Sequence, residues 1–273
     1  MRVRRVGPVG GDGGKDAPPS VVLLHGFTGS SASWGDAIPG GLEAPVLLVD
    51  LPGHGSGADA RHLEGMDFDA VVDALAEAVA RATGSDAPLD WVGYSMGGRI
   101  ALALAVRHPD RVRRLVLESA SPGLAEGSAR TARRRRDEAL ARKLEKGGVR
   151  SFVDDWMSQP LFRSQATLPA EVRDEARRVR LSQDAGALAT ALRVMGTGVQ
   201  PSFWDDLPDL HPPTLLLTGA LDHKFEGLAR QMAESIPRAV HRSIPGAGHT
   251  VHLEAPGRWL DTVRSFLQAQ GSP

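Results

Sequence analysis

The chain has 273 residues, 41% hydrophobic and 24% charged, a balance that excludes disorder and fibrous architecture and is long enough for one substantial core. Lysine and arginine total 32 against 33 acidic residues, so the formal charge of -1 leaves no global basic field for nucleic acid or a membrane surface. The absence of cysteine removes disulfides, thiolate nucleophiles and cysteine-ligated metal. The longest apolar runs fall far short of the roughly 18 residues of a membrane span, and no apolar stretch follows Met1 to Arg5, so a soluble, cytoplasmic protein is expected.

In chain order, Gly10 to Gly14 reads as a flexible turn, and Pro18-Pro19 precede a first buried strand at Ser20 to Leu24. A second strand is expected at Pro45 to Val49. Phe68, Val71, Val72, Leu75 and Val79 recur at helical spacing over Asp67 to Ala82, with Gly84 as the stop signal. A strand at Leu89 to Gly93 runs directly into a helix over Met96 to Arg107, which His108-Pro109 halts, and Arg114 to Glu118 is the next strand. The alternation then breaks. Residues 122–207 are helix-rich, with Phe152, Trp156, Leu161 and Phe162 as apolar anchors. Within them residues 122–201 carry 13 arginines and 2 lysines against 10 acidic residues, a net +5 that leaves the remainder at -6. The arginine skew of the whole chain is equally what a GC-rich genome would produce. Strands at Pro213 to Thr218 and Ala239 to Ile244 follow, and a last helix over Arg258 to Gln268 puts Trp259, Leu260, Val263, Phe266 and Leu267 on one stripe. Strands alternating with helices predict an α/β protein with a mostly parallel central sheet covered by helices. Its core is expected from residues 1–121 and 208–273, with 122–207 as an inserted helical cap.

Gly93-Tyr94-Ser95-Met96-Gly97 fits G-x-S-x-G, and it lies directly between a predicted strand and a predicted helix, the context a nucleophile elbow requires. A plain glycine-rich turn would look the same in isolation. A serine hydroxyl is inert near neutral pH unless a base takes its proton, and that base needs an acid to fix its tautomer. Asp222, just past the strand ending at Thr218, and His249, in the loop after the next strand, supply them in the order Ser, Asp, His. Asp205, Asp209 and His252 are the competitors. The glycine turn Leu24-His25-Gly26-Phe27 ends the first strand, so the Phe27 and Met96 N–H groups are the candidate oxyanion-hole donors. His25, with no second ligand at a fixed offset, reads as structural, and Asp50 to Gly55 reads as a scaffold turn. Arg99, one helical turn after Ser95 with small or apolar flanks, can face the same mouth, and together with the basic cap it predicts an anionic substrate. Helical spacing lets one or two of Arg133 to Arg136 face inward, and Trp156 either walls the pocket or anchors the cap.

These residues resemble the α/β-hydrolase superfamily from about Val21 to Leu267. Finer motifs resemble the 2-succinyl-6-hydroxy-2,4-cyclohexadiene-1-carboxylate synthases of menaquinone biosynthesis: Leu24-His-Gly-Phe-Thr-Gly29, Val92-Gly-Tyr-Ser-Met-Gly-Gly-Arg99, Ser121-Pro-Gly-Leu124, Gln159-Pro-Leu-Phe162, Val199-Gln-Pro201 and Gly219-Ala-Leu-Asp-His-Lys-Phe225. The resemblance implies Ser95, Asp222 and His249 as the triad. It places Tyr94, Arg99, Arg133, Trp156 and Arg180 around the substrate, with Arg130 as a possible substitute for Arg133. Ser119-Ala120-Ser121 departs from the small residues and histidine that relatives often carry there. The implied reaction is elimination of pyruvate from a cyclohexene bearing succinyl, enolpyruvyl and ring carboxylates. It needs no cofactor, no metal and no obligate protein partner, only a small polycarboxylate. Rival readings are a serine hydrolase (an esterase or carbon–carbon bond hydrolase) that acts on an anionic substrate and forms an acyl-enzyme on Ser95, and a non-catalytic binding module with a degenerate pocket.

Overall fold

The computed structural model describes residues 1–7, 20–55 and 58–269, so the expected turn at Gly10 to Gly14 and Pro18-Pro19 lie outside the described residues. Seven strands form one sheet: β1 (Arg2–Val6), β2 (Val21–Leu24), β3 (Val46–Asp50), β4 (Leu89–Tyr94), β5 (Val112–Glu118), β6 (Thr214–Gly219) and β7 (Ala239–Ile244). Their order is β1-β3-β2-β4-β5-β6-β7, and every pairing is parallel except that of β1 with β3. β2, β3, β4 and β6 are buried along their whole length, as strands covered on both faces must be, which is why they read as continuous apolar runs. β1 was not anticipated. Three arginines in five residues and a half-exposed edge position give it no such run, and it is held by its backbone register from Arg2 opposite Asp50 to Val6 opposite Val46.

The described residues also hold five short 3-10 helices and nine α-helices: α1 (Ala37–Gly41), α2 (Phe68–Thr83), α3 (Met96–Arg107), α4 (Gly127–Met157), α5 (Ala170–Leu181), α6 (Ala185–Met195), α7 (His223–Ser235), α8 (Val251–Glu254) and α9 (Pro256–Gln268). The expected helix boundaries shift by only one or two residues. α2 begins where the Asp67 side chain accepts from Ala70 N at 2.8 Å and ends at Gly84, whose φ of 67° is the left-handed conformation that glycine adopts cheaply. Alternate residues of β2 and β3 face opposite layers. Val22, Leu24, Leu47 and Val49 pack with α2, α3 and α7, whereas Val21, Leu23, Val46 and Leu48 pack with α1, α8 and α9 around Trp34 and Trp259. No helix among the described residues is long and apolar enough to cross a membrane.

Between β5 and β6 the described chain adds helices and no strand. α4 breaks at Gly148 (φ 74°, ψ 173°), and its two halves join α6 in a separate apolar cluster of Ala141, Leu144, Phe152, Leu188, Ala189 and Leu192. Phe27, from the turn after β2, packs against that cluster and ties the helical segment to the carboxyl edge of the sheet. The chain order reverses around β2, whose neighbours are β3 and β4, so the carboxyl ends of β2 and β4 open a crevice there.

Candidate active site

Ser95 is the single residue between β4 and α3, and its backbone (φ 50°, ψ -107°) lies in the region L-residues seldom occupy. Its glycine neighbours allow the turn. A Cβ on Gly93 would lie 2.5 Å from Gly97 O, and one on Gly97 would run into the Leu24 carbonyl. Ser95 N donates to Glu118 O at 2.8 Å, fixing the elbow against β5.

His249 Nε2 lies 3.1 Å from Ser95 Oγ, and Nδ1 lies 2.6 Å from Asp222 Oδ2. With Nδ1–H donating to the carboxylate, Nε2 offers its lone pair to the serine hydroxyl. Asp222 caps α7, and its other oxygen accepts from Phe225 N at 3.4 Å. The acid and the imidazole are 7% and 2% exposed. Glu254 braces the histidine loop from both sides, accepting from Gly248 N at 2.7 Å and Thr250 N at 3.1 Å. The Phe27 and Met96 N–H groups have no acceptor among the described residues, and both residues border the cavity that reaches Ser95.

Two cavities of about 430 and 460 Å³ meet at Ser95, with Phe27, Trp156, Leu161 and His249 lining both. The second holds Arg99, Arg133 and Lys224. Arg99 is 8% exposed, and its guanidinium bonds Gln200 Oε1 at 2.8 Å and Met195 O at 2.9 Å, both neutral acceptors. No carboxylate pairs with it among the described residues. Burial, and secondarily the nearby Arg133, draws its pKa down to about 10, which leaves it a cation at neutral pH. Arg133 donates to Asp137 Oδ1 at 2.7 Å. Arg130 instead turns to the Leu124 and Ala125 carbonyls, each at 2.6 Å, and borders neither cavity, whereas Arg133 lines the second.

The first cavity holds Tyr94 and Arg180. Tyr94 Oη pairs with Thr250 Oγ1 at 2.8 Å, and Gln165 Nε2 donates to the same hydroxyl at 3.0 Å. Burial pushes the phenol up, keeping it neutral. Arg180 donates to Ala176 O at 2.7 Å and lies 5.9 Å from the Phe162 ring centroid, and burial lowers its pKa. Trp156 both walls and anchors, for it stacks on Phe152 at 5.5 Å and meets Phe27 edge-on at 5.4 Å.

Asp205 and Asp209 are exposed and take no part in the relay. His252 turns away from Ser95, its Nδ1 lying 2.9 Å from both oxygens of buried Glu118. His25 is structural, with Nδ1 2.8 Å from Gly26 O and Nε2 accepting from Leu51 N at 3.1 Å. Sequence reasoning missed Thr250, Gln165, Glu254 and Glu118. Glu118 had left a signal, a carboxylate ending the otherwise apolar run Leu115-Val-Leu. Among the described residues no His, Asp and Glu cluster is arranged to hold a metal ion.

A family model described as the alpha/beta hydrolase fold matches residues 19–256. A putative 2-succinyl-6-hydroxy-2,4-cyclohexadiene-1-carboxylate synthase of Bacillus subtilis (strain 168) is 38% identical over 261 residues, 94% of this chain and 93% of the relative. The 2-succinyl-6-hydroxy-2,4-cyclohexadiene-1-carboxylate synthase of Serratia proteamaculans (strain 568) is 33% identical over 93% of this chain and 94% of its own length. Among solved structures, MenH from S. aureus superposes with a TM-score of 0.88 at 34% identity, covering 97% of both chains.

Proposed function

The chain belongs to the α/β-hydrolase fold family and, within it, to the 2-succinyl-6-hydroxy-2,4-cyclohexadiene-1-carboxylate synthases, and from that membership we propose how its residues carry the reaction. It is a lyase of menaquinone biosynthesis that eliminates pyruvate from 2-succinyl-5-enolpyruvyl-6-hydroxy-3-cyclohexene-1-carboxylate. Ser95, polarised by His249 and Asp222, removes the ring proton beside the succinyl ketone, and the proton passes to His249 Nε2. The electron pair moves onto the ketone oxygen, an enolate that the Phe27 and Met96 N–H groups stabilise. Reformation of the ketone drives a 1,4-elimination that breaks the ring C–O bond. Pyruvate leaves as its enolate and takes up the proton, so no water is consumed and no redox change occurs. Residues 122–207 act as the cap that closes over the substrate, contributing Arg133, Trp156 and Arg180.

One observation carries this reading: a complete Ser, His, Asp relay beside a buried guanidinium, Arg99, whose hydrogen-bond partners among the described residues are both neutral. An unpaired buried cation is costly unless a ligand completes it, and a substrate with three carboxylates does so. Hydrolysis of an uncharged acyl ester would use the same relay but leaves Arg99 without an anion to bind. Arg99→Gln is expected to lower kcat/KM for pyruvate release about 100-fold, the cost of losing one buried charged contact. Unchanged kcat/KM in that variant, together with wild-type turnover of short acyl esters, would favour hydrolysis.

A further inference from the structure

The first cavity contains polar groups that the relay does not use. Trp34 lines it and is 2% exposed, yet its indole Nε1–H has no acceptor among the described residues. Arg180 Nε, in the wall of the same cavity, is also buried and unbonded. A donor removed from water and left unbonded forfeits its hydration without return, so two in one cavity imply an acceptor that arrives with the ligand. Ile38, Phe162, Val172 and Val179 give it apolar walls, while Glu171 and Glu175 also line it, Glu175 being paired with Arg178.

The indole is fixed from behind. Its ring centroid lies 4.4 Å from that of His252 and 5.8 Å from that of Trp259. Glu118, fully buried, holds both supports: His252 Nδ1 lies 2.9 Å from each of its oxygens, and Trp259 Nε1 donates to it at 2.8 Å. A buried carboxylate with three such contacts is a rigid mount, and what it mounts is the tryptophan facing the cavity.

We propose that Trp34 Nε1–H is a substrate-binding donor that, with Arg180, holds the terminal carboxylate of an aliphatic arm in the first cavity, while Glu118 and His252 position the indole. The identity of the arm rests on the elimination reading. A succinyl chain, with two methylenes and one terminal carboxylate, matches a cavity that combines these apolar walls with two unbonded donors. The ring and enolpyruvyl carboxylates then fall to Arg99, Arg133 and Lys224 in the second cavity.

The test uses the full chain, labelled with nitrogen-15, and 3-benzoylpropionate, a stable acid carrying the same keto-acid arm. The chain has five tryptophans, and the Trp34 indole resonance is identified by its loss in Trp34→Phe. Saturation with 3-benzoylpropionate is expected to shift that resonance downfield, whereas benzoate, which lacks the arm, leaves it in place. Trp34→Phe is expected to bind the acid about tenfold more weakly. An unmoved Trp34 resonance at saturation, equal affinity in the variant, or no binding of the acid to wild type overturns the assignment. Pyruvate release measured on the same wild-type sample separates the two readings. A shifted Trp34 without release overturns the elimination and leaves the donor standing, whereas release with an unmoved Trp34 overturns the donor alone.

Discussion

Ser95 and His249 are 154 residues apart in sequence and 3.1 Å apart in space, and what brings them together is a set of backbone approaches that no side chain obstructs. Gly97 is among the sharpest of these. A methyl group there meets the Leu24 and His25 carbonyls, which belong to the strand end that carries Phe27, so neither side can yield without moving the oxyanion turn. Gly97→Ala is therefore expected to lower unfolding free energy by about 3 kcal/mol, measured by urea denaturation, the cost of overpacking against backbone. Stability within about 0.5 kcal/mol of wild type would contradict the tight approach. At this scale much was legible. The G-x-S-x-G motif, the acid after β6 and the histidine after β7 are local signals tied to strand ends, and the structure brings all three within hydrogen-bond reach. Trp34 was not legible as a site residue, because a tryptophan in an apolar surrounding acquires meaning only from partners distant in sequence, and Glu118, conspicuous at the end of an apolar strand, did not reveal which residues it would hold.

Among the elements, period and punctuation identified the buried strands and the helices α2, α3 and α9, because continuous apolar runs and capping residues are written locally. β1 escaped because an arginine-rich edge strand owes its place to the backbone of β3. The break in α4 escaped for a related reason: Gly147-Gly148 is an ambiguous pair until the backbone shows which one leaves the helix. Gly148 does, at φ 74° and ψ 173°, with nothing within 4 Å of a would-be Cβ. Gly148→Ala is expected to cost about 2 kcal/mol purely through that backbone conformation. Gly147→Ala, where a Cβ meets only Ser151 at 3.7 Å, is expected to be neutral or to stabilise by up to about 1 kcal/mol. Equal effects of the two variants in chemical denaturation would show that the break is not located at Gly148.

For the molecule as a whole, two features emerge only when every element is in place. One is the division of the site into two cavities, which depends on Phe27 from the sheet and Trp156 from the helical segment meeting over Ser95. Spacing along the chain predicted arginines near the site and could not say which cavity each would enter. The other is acid sensitivity. Burial draws the His54 imidazole from its ordinary 6.5 down to about 3, and burial also lowers His25. The unfolded chain takes up these protons near pH 6.5 while the native state resists them, so their contribution is complete above that pH and declines as pH falls toward 3. His54 alone is expected to reduce unfolding free energy by about 2 kcal/mol between pH 7 and pH 5, at about 1.4 kcal/mol per unit below the unfolded value. His54→Gln should flatten that decline, and an unchanged slope would show that His54 is not the group responsible.

In the proposed reaction the Ser95, His249 and Asp222 relay abstracts a proton from a polycarboxylate held by Arg99, Arg133 and Arg180. Its most direct test is the rate of pyruvate release from 2-succinyl-5-enolpyruvyl-6-hydroxy-3-cyclohexene-1-carboxylate by wild type and by Ser95→Ala. We predict rapid release by the wild type and a loss of about a thousandfold or more in kcat for the variant, the scale seen when a member of such a relay is removed. Release by Ser95→Ala at a rate near that of the wild type would show that Ser95 is not the base.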